Sequence, residues 1–198
     1  EIPDLDLLCE TKEGYERAKE FLVQEGYLII SRENLRTFFG KKVGDTLILI
    51  DLYQEISWWG WVVMDKKPIF QRKREVQPFI VVPSAEDELL MYVGQGIFKN
   101  QQLDHYKAEM VRHLLKNNLN QEYINNQLLA YGWKWAFDEA VAQVKERTGP
   151  ISFSKSIVER AFFRAWSHAP LARSSIIFRA IRYIVRKSKR KATVICLL

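Results

Sequence analysis

Three carboxylates are the residues of this chain best suited to chemistry: Asp4 and Asp6 in Ile2-Pro3-Asp4-Leu5-Asp6-Leu7-Leu8, and Asp51 after the apolar run Thr46-Leu47-Ile48-Leu49-Ile50. Side chains alternate between faces along a strand, so Asp4 and Asp6 share one face while Leu5 and Leu7 point into a core. If the second run is a neighbouring strand, Asp51 joins the pair. Three converging carboxylates repel one another unless a divalent cation sits between them, and hard oxygen ligands with open positions suit Mg²⁺ or Mn²⁺. Two such ions about 3.5–4 Å apart are a standard device for phosphoryl and nucleotidyl transfer. The competing reading is a chance Asp-x-Asp in a frayed terminus.

The order Asp4-Leu5-Asp6-Leu7-Leu8, a helix over Glu13 to Glu25, Glu25-Gly26-Tyr27 and then Ile50-Asp51-Leu52-Tyr53 resembles the polymerase-beta-like nucleotidyltransferase superfamily. It looks most similar to an uncharacterised bacterial and archaeal group of that superfamily. The stretch Val82-Pro83-Ser84-Ala85-Glu86-Asp87-Glu88-Leu89-Leu90 also resembles that group, where it opens a helical part. The resemblance covers residues 2 to 115 and implies a nucleotide-binding transferase. Asp4, Asp6 and Asp51 would bind Mg²⁺ or Mn²⁺, with Asp51 also helping to deprotonate the attacking hydroxyl, and an NMP would pass from an NTP to an unknown acceptor. The family's Gly-Ser motif, which holds the triphosphate, is expected upstream of residue 1. Tyr53 and Gln95 stand where relatives often carry His.

The elements that must position these residues are legible in outline. Glu10 to Glu25 carries Tyr15, Ala18, Phe21 and Leu22 at helical spacing, and Gly26 is a natural stop. Tyr27 to Ile30 reads as a short strand. Leu35–Lys42 and Thr46–Tyr53 flank Val43-Gly44-Asp45 as the arms of a hairpin. On the second arm Glu55 follows Asp51 and Tyr53 on one face, as an outer carboxylate or a solvated strand-end charge. Ser57-Trp58-Trp59-Gly60-Trp61 is expected to pack in a core, the alternative being a stacking platform for a base or sugar. Lys66, Lys67, Arg72, Lys73 and Arg74 read as a solvated loop around Pro68 or as neutralising charge for a triphosphate.

Ser84-Ala85-Glu86-Asp87 is a capping signature, and the helix it starts is expected to run through Ile97. Leu103–Leu115, Gln121–Tyr131, Trp133–Arg147 and Ser154–Ser167 each show apolar residues at three- and four-residue spacing, which a compact bundle would bury. The expected fold class is therefore α+β: a small mixed sheet with helices, followed by an all-helical bundle. The expected divisions are 1–83 for the nucleotidyltransferase-like part, 84–170 for the helical part, and 171–198 for a basic linker and a terminal strand.

The chain has 198 residues, 47% apolar and 27% charged, ordinary for a soluble globular protein. Cys9 and Cys196 have no metal-ligand spacing and read as reduced core residues, which with no signal peptide points to a cytoplasmic protein. His105, His113 and His168 lack ligands at metal spacing, and no serine-hydrolase or zinc-protease motif occurs. Residues 151–198 hold eleven basic residues against Glu159 alone, a charge of +10 within a net +6, so residues 1–150 carry −4. The basic, apolar-faced stretch 171–191 could meet nucleic acid or an anionic membrane surface, or dock as a linker.

The ending Ala192-Thr193-Val194-Ile195-Cys196-Leu197-Leu198 resembles the first strand of thymidylate-kinase-like P-loop proteins. That implies a larger protein with a kinase-like domain downstream, and a second functional reading: a non-catalytic regulatory or substrate-docking domain of a nucleotide-kinase-like protein.

Overall fold

The computed structural model describes residues 4–33, 35–58 and 61–168. Trp59, the basic stretch 171–191 and the apolar ending 192–198 lie outside them. The fold is α+β, with a small mixed sheet and a largely helical second half.

The sheet comprises β1 (Asp4–Leu8), β2 (Leu28–Glu33), β3 (Arg36–Val43) and β4 (Thr46–Tyr53), in the order β1-β4-β3-β2. Gly44, at φ +59°, and Asp45 form the two-residue hairpin between β3 and β4, and β1 then adds parallel to β4. Helix α1 (Lys12–Gln24) links β1 to β2. Thr11 caps it by accepting the Gly14 N–H at 2.9 Å. Gly26, at φ +81°, ends it, the N–H groups of Gly26 and Tyr27 reaching Val23 and Leu22 carbonyls. Tyr15 and Leu22 cover Phe39, Ile50 and Leu52, one small core of this half. Each such buried side chain contributes roughly 1.5–3 kcal/mol.

The expectation that Leu5 and Leu7 enter that core fails, since they are 54% and 36% exposed. Their alternation is right, placing them in register with Ile50 and Leu52. However, β1 is the sheet edge, and α1 covers the inner strands instead.

Beyond the sheet come the short pair β5 (Ser57–Trp58) and β6 (Trp61–Val62), helix α2 (Lys66–Arg72), and the hairpin β7 (Arg74–Gln77) and β8 (Ile80–Val82). The helix replaces the expected loop. Asp65 caps it through the Lys67 N–H at 2.9 Å, and Pro68 sits in the first turn, where no intrahelical N–H is needed.

The second half holds α3 (Ala85–Gly94), a π-helical turn (Gln95–Asn100), β9 (Gln102–Leu103), α4 (His105–Leu114), α5 (Gln121–Ala130), α6 (Lys134–Glu146), β10 (Ile151–Ser152) and α7 (Lys155–His168). It is not purely helical, because β9 and β10 pair antiparallel. The expected single helix through Ile97 changes pitch after Gly94 and ends at Gln101, which is left-handed at φ +57°. Leu89, Leu90, Val93, Ile97, Phe98 and Trp133 centre the large core, and Ile56, Trp58, Val63, Met64 and Ile69 pack into it.

Trp58 therefore packs and does not form a platform. It stacks on Phe98 with centroids 6.5 Å apart, directly over Gly94, where a Cβ would come within 2.9 Å of the indole. Among the described residues, no helix is long and apolar enough to cross a membrane.

Candidate metal centre

The register of the sheet assembles the carboxylates. Asp6 lies opposite Asp51 across the parallel β1–β4 pair, and Asp4 lies one alternate position away on the same face. One carboxylate oxygen from each of Asp4, Asp6 and Asp51 falls within 4.8 Å of the others. Asp51 is fully buried because β4 is an inner strand; Asp4 and Asp6 sit exposed on the edge strand.

All three expected ligands therefore converge. Ligands on one side of an octahedral Mg²⁺ at about 2.1 Å lie roughly 3 Å apart, and the three carboxylate oxygens approach one another within 4.8 Å. The donor set fits a hard divalent cation.

Two neighbours of Asp51 complete the arrangement. In the β3–β4 hairpin, Arg36 is paired with Tyr53, and Phe38 with Asp51. Arg36 and Tyr53 thus project on the carboxylate face. Arg36 Nε donates to Asp51 Oδ1 at 2.7 Å, and the Tyr53 hydroxyl donates to Oδ2 at 2.8 Å. The guanidinium also lies 5.5 Å from the Tyr53 ring centroid.

The electrostatics follow from this packing. Although Asp6 lies on the open edge strand, desolvation of its carboxyl by the protein around it, then the charges of Asp4 and Asp51, push it up to about 6, with Lys99 and Arg36 opposing. Burial, then the charges of Asp6 and Asp51, drive the Tyr53 hydroxyl far above its ordinary value, so it is a donor. Burial works against the Arg36 charge, but Tyr53 and Asp51 hold its pKa above normal.

Neither Arg36 nor Lys99 was expected at the site. Arg36 was hidden by the expected Val43-Gly44-Asp45 connection; the observed two-residue Gly44-Asp45 turn keeps Val43 opposite Thr46 and sets Arg36 opposite Tyr53. Lys99, whose charge acts on Asp6 from the π-helical turn, had no legible signal.

Glu55 does not reach the cluster. The chain leaves β4 after Tyr53, and Glu55 pairs with Lys66 at 3.1 Å. The basic run is also engaged elsewhere: Arg72 pairs with Glu86, and Arg74 Nε donates to the Pro83 carbonyl at 3.2 Å. His105 and His113 lie on α4, outside the cluster, and Cys9 is half-buried just after β1.

Comparison of the chain with protein-family models, curated proteins and solved structures finds no match.

Proposed function

We propose that this chain is a metal-dependent nucleotidyltransferase-like domain that transfers an NMP from an NTP to an acceptor. The observation carrying this reading is the convergence of Asp4, Asp6 and Asp51 carboxylate oxygens within 4.8 Å on one sheet face. The order of these residues in the chain, which resembles the polymerase-beta-like superfamily, supports the same chemistry.

A bound Mg²⁺ or Mn²⁺ would supply charge neutralisation for the phosphates and lower the pKa of the acceptor hydroxyl. Asp4 and Asp6 would hold the cation from the open edge strand, with Asp51 completing the set from the buried strand. In the reaction the acceptor oxygen bonds to the α-phosphorus, the bond to the pyrophosphate oxygen breaks, and the acceptor proton passes toward Asp51.

Calorimetric titration of NTPs, with and without Mg²⁺ or Mn²⁺, tests the reading on wild type and on Asp4→Asn/Asp6→Asn. Metal-dependent binding lost in the double variant is expected. Binding by the wild type that ignores the metal would overturn it.

One observation favours a second reading, a non-catalytic regulatory or docking domain. Arg36 and Tyr53 already satisfy both oxygens of Asp51, as in a site whose third ligand has become structural. That reading expects no nucleotide transfer, and Asp51→Asn then changes stability without changing any activity.

A further inference from the structure

The Arg36–Asp51 bond poses a problem for any cation at this centre, and its resolution assigns Arg36 a role. Asp51 is completely buried, whereas the Arg36 side chain is 23% exposed, so the charge pair sits at the boundary between core and solvent. A guanidinium at 2.7 Å from Oδ1 and a divalent cation drawn to the same carboxylate repel one another strongly at such separations. They cannot both hold it at full strength.

The cheaper partner to move is Arg36. Asp51 is anchored on an inner strand between β1 and β3, and its second oxygen is fixed by Tyr53. Arg36 is the first residue of β3 and reaches Asp51 only through its long side chain, lying beside the Tyr53 ring. A planar fork of donors released there is matched to phosphate oxygens.

We propose that Arg36 is a phosphate-binding residue of this centre, parked on Asp51 until a divalent cation replaces it. The inference rests on the carboxylate site being a metal site. The metal-free protein keeps its buried carboxylate neutralised, and cation entry frees the guanidinium for the anionic ligand that the metal also binds. Metal and phosphate binding are thereby coupled through one side chain.

Mn²⁺ titrations of wild type, Arg36→Gln, Tyr53→Phe and Asp51→Asn, each alone and with inorganic tripolyphosphate, test the coupling. Loss of the competing guanidinium should let Arg36→Gln bind Mn²⁺ about tenfold more tightly, the scale of one charge-assisted hydrogen bond. The same variant should bind tripolyphosphate about tenfold more weakly once Mn²⁺ is present. Tyr53→Phe keeps the ring and should tighten Mn²⁺ about threefold while leaving tripolyphosphate binding intact.

In the wild type, which needs no variant to fold, the Arg36 Nε–H nuclear magnetic resonance signal should shift as Mg²⁺ saturates the protein. A signal that stays fixed at saturation overturns the proposal, as does unchanged or weaker Mn²⁺ binding by Arg36→Gln. Wild-type Mn²⁺ affinity in Asp51→Asn would instead remove the carboxylate site itself, and this inference with it.

Discussion

Asp6 stands directly opposite Asp51 in the parallel pairing of β1 with β4, an exposed carboxylate facing a buried one across a single strand interval. The pairing concentrates negative charge where only Arg36 makes a direct ion pair with Asp51 among the described residues. Among the described residues Asp4 and Asp6 have no ion-pair partner, which leaves their carboxylates open to a cation.

Protonation at Asp6 is measurable. Asp6, pushed up to about 6 by desolvation of its carboxyl and by the charges of Asp4 and Asp51, binds its proton more tightly in the folded than in the unfolded chain. Stability from a raised carboxyl is complete below its unfolded value and is lost as pH rises through its folded value. Metal-free stability should therefore fall between about pH 4 and pH 6. Asp6→Asn should remove that step and raise the melting temperature at pH 7.5 by roughly 2–4 °C, after allowance for solvent screening. Thermal melts across the pH series check it, and an unchanged slope in the variant counts against it.

Asp87 holds the helical half together by a different network. Fully buried, it accepts the Ser84 hydroxyl at 2.7 Å and the Tyr123 hydroxyl, tying α3 to α5, with Arg72 of α2 alongside at 3.7 Å. Asp87→Ala strands these donors and should cost about 3 kcal/mol; Tyr123→Phe should cost about 1 kcal/mol. Urea unfolding of both and of the double variant should show non-additivity, since the partners touch. Mn²⁺ affinity should be unaffected in each.

Gly94 is required by Trp58. A methyl group there would come within 2.9 Å of the indole, with Trp133 behind it at 3.5 Å, and neither ring has room to retreat in a filled core. Gly94→Ala should destabilise by about 1–3 kcal/mol despite its better helix propensity. Chemical denaturation that finds the variant as stable as wild type would contradict this packing.

Phe79 presents the reverse case. It turns the β7–β8 hairpin after Pro78 at φ +68° while 99% exposed, so no packing compensates its left-handed backbone. Phe79→Gly should stabilise by about 0.5–1 kcal/mol, the relief of strain outweighing glycine's extra chain entropy. A lower melting temperature in the variant would show that the ring contributes to stability.

The local pattern of the chain determined much of this protein. Period-two alternation put Asp4 and Asp6 on one face, Gly44-Asp45 set the hairpin that presents Asp51, Thr11 and Gly26 bounded α1, and Ser84 capped α3. These features depend on neighbours within a few residues, so they are readable in order. The hairpin register was not: with Val43 read into the connection, Leu35 would face Tyr53, whereas the fold keeps Val43 in β3 opposite Thr46 and so sets Arg36 there.

Tertiary structure decided what depends on distant partners. Alternation specified the faces of Leu5 and Leu7 but not that β1 would lie at an edge beyond the cover of α1. Glu55 kept the parity of its strand but lost its place when the chain bent toward Lys66. The six-residue π-helical turn, which brings Lys99 close enough for its charge to act on Asp6, follows an apolar spacing that reads as ordinary helix. It packs Gly96 against Leu103 and Phe153, which the β9–β10 pair brings from afar. Such choices come from burial and close approach between remote segments, which no local window of residues contains.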